Sequence, residues 1–298
     1  MRTIVMTGGT SGIGEVAARQ ILATPDTRLL LGTRGRGPAG AESVRLDLTR
    51  LADVRSFVEG VNDRLGTSEI DALVLNAGEN QPNGDGRTPD GFETSFVVNY
   101  LAHYLLLRLL VPRLADGAVV SLTTSGTHDP EENTMLPPPR HADAALLARP
   151  DRDPDRDAEP RVAAGRAYSA AKLCTILVVR ALALRPEVVA KNVTVLAYDP
   201  GPTPGTGLLR NAPAMANVAW RVFGGLIRRM VPRFNSKEAG GAHLGAIALG
   251  RVDPPAGRYY AAVRRDALTW LDPSKLARDD RVRDALWRDS ASLVGLQP

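Results

Sequence analysis

Short apolar runs alternate along this chain with longer stretches whose apolar residues recur every three or four positions. Thr3-Ile4-Val5-Met6 is a continuous apolar run, as a strand buried on both faces of a parallel sheet should be. The same pattern marks Arg28 to Gly32, Ser43 to Leu46, Ile70 to Leu75, Gly117 to Leu122, Val193 to Ala197 and, last, Gly257 to Tyr260. Helical spacing lies between these runs: Val16 to Leu22; Leu51 to Leu65, with Leu51, Val54, Phe57, Val58, Val61 and Leu65 on one face; and about Gly91 to Leu114, with Phe92, Phe96, Val97, Leu101, Leu105 and Leu109. Further helices are predicted from about Ala167 to Leu184, from a capped start at Asn235-Ser236-Lys237-Glu238 to Leu249, and from Arg281 to Val294. Seven strands alternating with helices predict an α/β fold with a doubly wound, mostly parallel seven-stranded sheet. No repeat and no linker divides it, so residues 1–298 are read as a single domain.

Three segments depart from the rhythm. Gly35, Gly37, Pro38 and Gly40 crowd the crossover from Arg34 to Val44, leaving room for a loop or one helical turn where a helix is usual. Residues 127–166 carry seven prolines and no sustained period. They read as an insertion at the mouth of a site, the alternative being a disordered surface excursion. Residues 203–234 contain an apolar stretch broken by arginines, with Trp220, Val222, Phe223, Leu226, Ile227 and Met230 on one possible helix face. A substrate lid is the first reading, ordinary core the second and membrane-surface contact the third.

Composition narrows the classes. The 298 residues are 44% hydrophobic and 23% charged, ordinary values for a globular chain. The formal charge is +4 with arginine spread throughout, so no nucleic-acid partner is expected. The single cysteine, Cys174, cannot form an internal disulfide, and no leader precedes the first strand, which fits a cytoplasmic protein. No apolar run suggests an integral membrane segment, and no metal-ligand cluster stands out.

The candidate chemistry begins at Thr7-Gly8-Gly9-Thr10-Ser11-Gly12-Ile13-Gly14, between a strand and a helix. Gly8 permits a tight exit from the strand, and Gly12 and Gly14 let backbone approach a phosphate. The helix N-terminus that follows offers free N–H groups to a pyrophosphate. After strand two, where an acid often binds the ribose of NAD, stands Arg34, with Arg36 nearby. A guanidinium there suits a 2′-phosphate and predicts NADP(H) over NAD(H); the alternative is a solvated arginine. Asp47-Leu48 ends strand three at the place for an adenine contact. Asn76-Ala77-Gly78 ends strand four, Ser125 follows strand five and Pro200-Gly201 follows strand six. Ligands in open α/β sheets bind along that edge. Tyr168 and Lys172, four apart, share a helix face, where an ammonium lowers a phenol's pKa and suits it to proton transfer. Asn99, inside an apolar helix, needs a partner for its amide, either an internal backbone group or a role in the site.

Together these residues resemble the short-chain dehydrogenase/reductase family. Thr7 to Gly14 is similar to its TGxxxGxG turn, Asn76-Ala77-Gly78 to its NAG, Pro200-Gly201 to its PG, and Asn99, Ser125, Tyr168 and Lys172 to its catalytic tetrad in order. Thr33-Arg34, Asn99-Tyr100-Leu101-Ala102-His103 and Leu286 to Ser290 look most like the retinol dehydrogenase and protochlorophyllide reductase branch. The resemblance implies a three-layer Rossmann fold, with Gly8, Thr10, Ser11, Gly12, Ile13, Gly14, Arg34, Asp47, Leu48, Asn76, Ala77, Gly78, Pro200 and Gly201 toward the dinucleotide. It implies Tyr168 as general acid/base, Lys172 lowering its pKa and binding the nicotinamide ribose, Ser125 positioning the substrate oxygen, and Asn99 holding a relay water. Thr203 or Thr206 would contact the carboxamide. A one-residue shift would make Thr124 the catalytic hydroxyl. The gap from Ser125 to Tyr168 exceeds the family's usual dozen residues. The implied activity is NADP-dependent hydride transfer between nicotinamide and a carbonyl or alcohol of a fairly hydrophobic small molecule. The alternatives are an NADPH-dependent carbon–carbon double-bond reductase and a non-catalytic NADP-binding sensor. A homo-oligomer is implied by many relatives, and a monomer if the insertion blocks their assembly.

Overall fold

A computed structural model describes residues 1–81, 85–203 and 234–297 of the chain. Its centre is one eight-stranded sheet in the order β3-β2-β1-β4-β5-β6-β7-β8. The strands are β1 (Arg2–Thr7), β2 (Thr27–Thr33), β3 (Glu42–Arg45), β4 (Ile70–Leu75), β5 (Leu114–Thr123), β6 (Thr194–Asp199), β7 (Tyr260–Arg264) and β8 (Ala267–Trp270). All neighbours are parallel except β7 and β8. Alternation along β1 divides its buried side chains between two cores: Val5 joins the cluster under one helical layer, Ile4 and Met6 the cluster under the other. The order reverses between β1 and β4, so the carboxyl ends of β1, β4, β5 and β6 open into one crevice.

The described helices are α1 (Gly12–Leu22), α2 (Leu51–Leu65), α3 (Thr94–Phe96), α4 (Ala102–Leu110), α5 (Ala144–Ala148), α6 (Pro160–Ala183), α7 (Pro186–Ala190), α8 (Lys237–Ala248) and α9 (Asp280–Leu293). α1 and α8 approach closely because α8 turns glycines toward its neighbour. A Cβ on Gly241 would lie 2.3 Å from Val16 Cβ, and one on Gly245 2.4 Å from Gln20 Oε1. The β2–β3 crossover is a loop, as its glycines predicted, and leaves a groove of about 630 Å³ beside the glycine turn.

Several expectations are corrected. The sheet has eight strands, not seven, because Tyr260–Arg264 turns back into β8. That hairpin turns through Arg265 and Asp266, both at positive φ (53° and 61°), without the glycine that usually announces such a turn. β5 starts at Leu114 because the chain bulges before Val119, with Gly117 at φ 70°. The helix expected from Gly91 to Leu114 is α3, a π-helical segment Val97–Leu101 and α4 in succession. Pro112 in the 3₁₀ turn that follows ends it early. α6 starts at Pro160, not Ala167, since proline is tolerated at the first helical position, and it absorbs the end of the insertion. The rest of the insertion holds short 3₁₀ turns and α5. Among the described residues, two helical stretches, Thr94–Arg113 and Pro160–Ala183, are long and apolar enough to cross a membrane, with 83% and 78% of their most apolar windows buried inside the structure. Thr206 and the segment read as a lid, save Thr203 and Phe234, lie outside the described residues.

Candidate active site

The glycine turn closes against the end of β4. Gly8 has φ 72°, and a Cβ there would lie 2.6 Å from Ala77 Cα. A Cβ on Gly14 would lie 1.9 Å from Gly8 O, so neither position tolerates a side chain. Asn76 Nδ2 donates to Gly8 O (3.0 Å), and Thr123 Oγ1 donates to Asn76 Oδ1 (3.0 Å), joining β1, β4 and β5. Thr7 Oγ1 accepts from the backbone N–H groups of Asn76 and Ala77 (both 3.1 Å). Its own proton then faces His103 Nε2 at 3.1 Å, while the other ring nitrogen bonds the backbone of Asn99. Burial, and next the ammonium of Lys172, push His103 down to about 3, so it stays neutral. His103 was not singled out from sequence, although it lies one helical turn beyond Asn99.

These contacts leave α1 with an open N-terminus. Ser11 occupies the cap position in extended conformation but makes no side-chain cap bond, and Thr10 and Ser11 are exposed. Free N–H groups next to a turn too tight for side chains fit a pyrophosphate. Gly12 and Ile13 begin the helix there. The adjacent groove is lined by Gly9, Thr10, Glu15, Arg19, Arg36 and Pro38, among others. Arg34 is exposed and near enough to Asp47 to help lower its pKa. Burial raises the Asp47 carboxyl, but bonds from Thr49 N (3.0 Å) and Oγ1 (2.8 Å), with Arg34 and Arg50, leave it net lowered. Asp47 Oδ1 is therefore engaged locally, and Leu48 beside it is buried.

At the centre of the crevice stand Gly78, Asn99, Ser125, Tyr168 and Lys172. Asn99 sits in the π-helical segment with its amide satisfied: Oδ1 accepts from Glu79 N (3.1 Å), and Nδ2 donates to Glu79 O (2.8 Å) and Ser95 O (2.9 Å). A Cβ on Gly78 would meet Asn99 Oδ1 at 2.8 Å and Lys172 Nζ at 3.4 Å. Lys172 Nζ donates to Thr123 O (3.0 Å) and lies 5.5 Å from the centre of the Tyr168 ring. Burial lowers Lys172 from 10.5 to about 8, partly opposed by the Asp199 carboxylate. The Ser125 side chain lies close enough to the Tyr168 phenol to draw its pKa down, but burial first and then Asp199 push it well up. No lowering by Lys172 accompanies these effects, and the phenol stays protonated in the free chain. Thr124 Oγ1 donates to Lys172 O (2.8 Å) and is buried, so of the two hydroxyls it is Ser125 that meets the tyrosine.

Behind Ser125 lies a network the sequence reading did not single out. His128 Nδ1 meets Ser125 O at 2.8 Å, its Nε2 accepts from Ser274 N (3.3 Å), and its ring edge packs on Tyr260. Since Nε2 is the acceptor, Nδ1 carries the proton toward Ser125. Asp199, 1% exposed, accepts from Tyr260 Oη (3.0 Å), Arg264 Nη1 (3.0 Å) and Gly201 N (2.8 Å). Gly201 has φ 64°, and a Cβ there would strike Asn235 Nδ2 at 2.3 Å. Asn235 Nδ2 and Thr203 Oγ1 both donate to Pro200 O, at 2.9 and 3.2 Å. Asp199 adjoins Pro200-Gly201 in sequence and was within reach of sequence reasoning. Asn235, Arg264 and Ser274 join the site only through β7 and the loops around it.

Comparison with known proteins agrees with this geometry. The short chain dehydrogenase family model matches residues 2–135. Dehydrogenase/reductase SDR family member 13 of Bos taurus is 32% identical over 100% of this chain and 74% of its own length. Retinol dehydrogenase 12 of Homo sapiens is 28% identical over 99% of this chain and 87% of its own. The crystal structure of a 3-ketoacyl-(acyl-carrier-protein) reductase from Brucella melitensis, complexed with NADH, superposes with TM-score 0.59 at 21% identity, covering 88% of this chain and 96% of that one. With the glycine turn, the eight-stranded sheet and this similarity over the whole length, the chain belongs to the short-chain dehydrogenase/reductase family, in its retinol dehydrogenase branch, and is a nicotinamide-dependent oxidoreductase.

Proposed function

We propose that this protein is an NADP(H)-dependent oxidoreductase acting on the carbonyl or alcohol group of a fairly hydrophobic small molecule. The observation that carries the reading is the Ser125–Tyr168–Lys172 arrangement at the crevice edge, beside a turn that fits a pyrophosphate. A bound nicotinamide supplies the hydride in one direction and takes it in the other. Ser125 donates a hydrogen bond to the substrate oxygen and orients it. Tyr168, kept protonated by its burial, passes its proton to that oxygen as the carbonyl becomes an alcohol. Lys172, held by Thr123 O over the tyrosine ring, stabilises the charge left on the phenol oxygen. Asn99 acts through the backbone it holds, fixing Gly78-Glu79 against the site. The exposed guanidiniums of Arg34 and Arg36 favour the 2′-phosphate of NADP(H). The retinol dehydrogenase relative supports an apolar substrate.

The test is turnover of a panel of aldehydes and ketones with NADPH, and of alcohols with NADP. Activity is expected, with Tyr168→Phe losing about 10²–10⁴-fold while still binding NADPH. A chain that reduces no carbonyl and oxidises no alcohol overturns the reading. Tight NADPH binding without turnover would instead mark a sensor, and deuteride delivered to a carbon–carbon double bond would mark a reductase of that class.

A further inference from the structure

Gly165 lies inside the 24-residue helix α6, where glycine is intrinsically unfavourable and where no positive φ requires it. Its reason is a neighbour. A Cβ at Gly165 would lie 2.9 Å from Pro137 Cδ and 3.2 Å from Leu136 Cδ2, so residues 136 and 137 rest directly on the helix backbone. The spacing from Gly165 to Tyr168 to Lys172 is three and then four residues, which puts all three on one face. Leu136 and Pro137 therefore cover the tyrosine's own face about 4.5 Å, three residues, before it along the axis.

The segment is pinned on both sides. On one side Glu132 pairs with Arg264 (2.8 Å), which also holds the buried Asp199 (3.0 Å) at the end of β6. On the other, Arg166 donates to Pro138 O (2.5 Å) and forks onto Asp157 (2.6 and 3.2 Å). Arg140 grips the same carboxylate (3.0 and 3.1 Å) and also Asp155 O. Within the span, Thr134 Oγ1 donates to Leu136 O (3.0 Å). Pro137, Pro138 and Pro139 have no N–H to offer, so these three positions add ring carbon and no backbone donor to the surface.

We propose that residues 134–139 form a fixed apolar wall of the substrate site, with Leu136 and Pro137 seated on Gly165 setting how wide a substrate can reach Tyr168. The inference rests on the oxidoreductase reading above and adds a specificity determinant to it. Substrates with a slim apolar group beside the carbonyl pass this wall, and broad ones meet it.

The test compares kcat/KM for hexanal and for naphthaldehyde with NADPH in the whole protein, in Leu136→Ala and in Gly165→Ala. The first change removes the bulk of the wall, and the second lifts the wall from the helix by the methyl it inserts. The naphthaldehyde-to-hexanal ratio is expected to rise about tenfold in Leu136→Ala and in the same direction in Gly165→Ala. The NADPH Kd should stay unchanged, which a general loss of structure would not allow. Leu136 is half-buried on the surface, so its variant keeps the test available if Gly165→Ala fails to fold. An active protein whose ratio stays the same in Leu136→Ala overturns the wall alone. A wild-type chain that turns over no carbonyl overturns the reading of function, and the wall with it.

Discussion

At the scale of single residues, Thr124 and Ser125 divide two tasks between adjacent hydroxyls. Thr124 ties the end of β5 to the Lys172 carbonyl, whereas Ser125 faces the phenol. Thr124→Val should lower stability by about 0.5–1.5 kcal/mol, the range for one hydrogen bond lost to a helix carbonyl that keeps its own helical partner. Ser125→Ala should slow turnover by about 10²–10³-fold with little change in stability. Urea unfolding and steady-state kinetics on the two variants separate the roles, and the opposite pattern would move the catalytic hydroxyl to Thr124. Under the NADP(H) reading proposed above, Arg34 would be the corresponding residue for cofactor choice. Arg34→Asp should weaken NADPH binding by about 1–3 kcal/mol and leave NADH nearly unaffected. Fluorescence titration with both nucleotides checks this, and equal affinities in the unmutated protein would contradict it. The candidate site residues could be named from the sequence because each sits in a short local motif. Their engagement was not: whether Asn99 is internally satisfied, or which hydroxyl is already used, depends on partners 20 and 48 residues away.

At the scale of elements, the helical stretch from Thr94 to Leu110 shows how a buried charge shapes a local structure. Glu93 caps it through Ser95 N (2.8 Å) and Phe96 N (2.6 Å) while only 2% exposed. Burial raises its pKa from 4.5 to about 7 against the pull of those bonds and of Arg87. A carboxyl whose folded pKa is raised binds more protons folded than unfolded between those values. Its stabilising contribution is complete below pH 4.5 and is lost as the pH climbs through 7. The 2.5-unit span (7 minus 4.5), at about 1.4 kcal/mol per pH unit, corresponds to about 3 kcal/mol. Glu93→Gln should therefore gain on the wild type by about that amount between pH 4.5 and 7.5, whatever constant offset its altered cap introduces. Parallel melts across that range test it, and parallel curves would show that Glu93 does not titrate there. The sequence revealed this helix by its apolar spacing but not its π-helical segment, which places Asn99 Oδ1 2.8 Å from where a Gly78 Cβ would stand. Periodicity records which face is apolar and is insensitive to one extra residue in a turn.

At the scale of the whole molecule, the C-terminal helix closes the core on the α4–α6 side. Trp287 meets the Tyr104 ring edge-on at 5.3 Å and is flanked by the guanidiniums of Arg108 (4.9 Å) and Arg185 (4.1 Å). Tyr104 Oη donates to Trp287 O (2.9 Å), and Tyr100 Oη bonds Ser290 Oγ (2.8 Å). Asn99 lies in the π-helical segment that runs straight into α4, so this contact braces the site from behind. Trp287→Ala should cost about 3–5 kcal/mol in chemical denaturation. A loss below about 1 kcal/mol would mean that α9 is dispensable for the core.

Local pattern by itself determined the alternation of strand and helix, the glycine turn, the arginine after β2 and the Tyr168/Lys172 pair, because each depends on the order of a few neighbouring residues. Tertiary structure decided what depends on distant residues meeting. It turned β8 back on β7 through a loop with no glycine, carried Arg264 and Ser274 to the residues after Ser125, and laid Leu136 and Pro137 on Gly165. It also placed the Tyr168 phenol above its ordinary value rather than below it, because burial, followed by the nearby Asp199 carboxylate, disfavours the phenolate, and burial is a property of the folded whole.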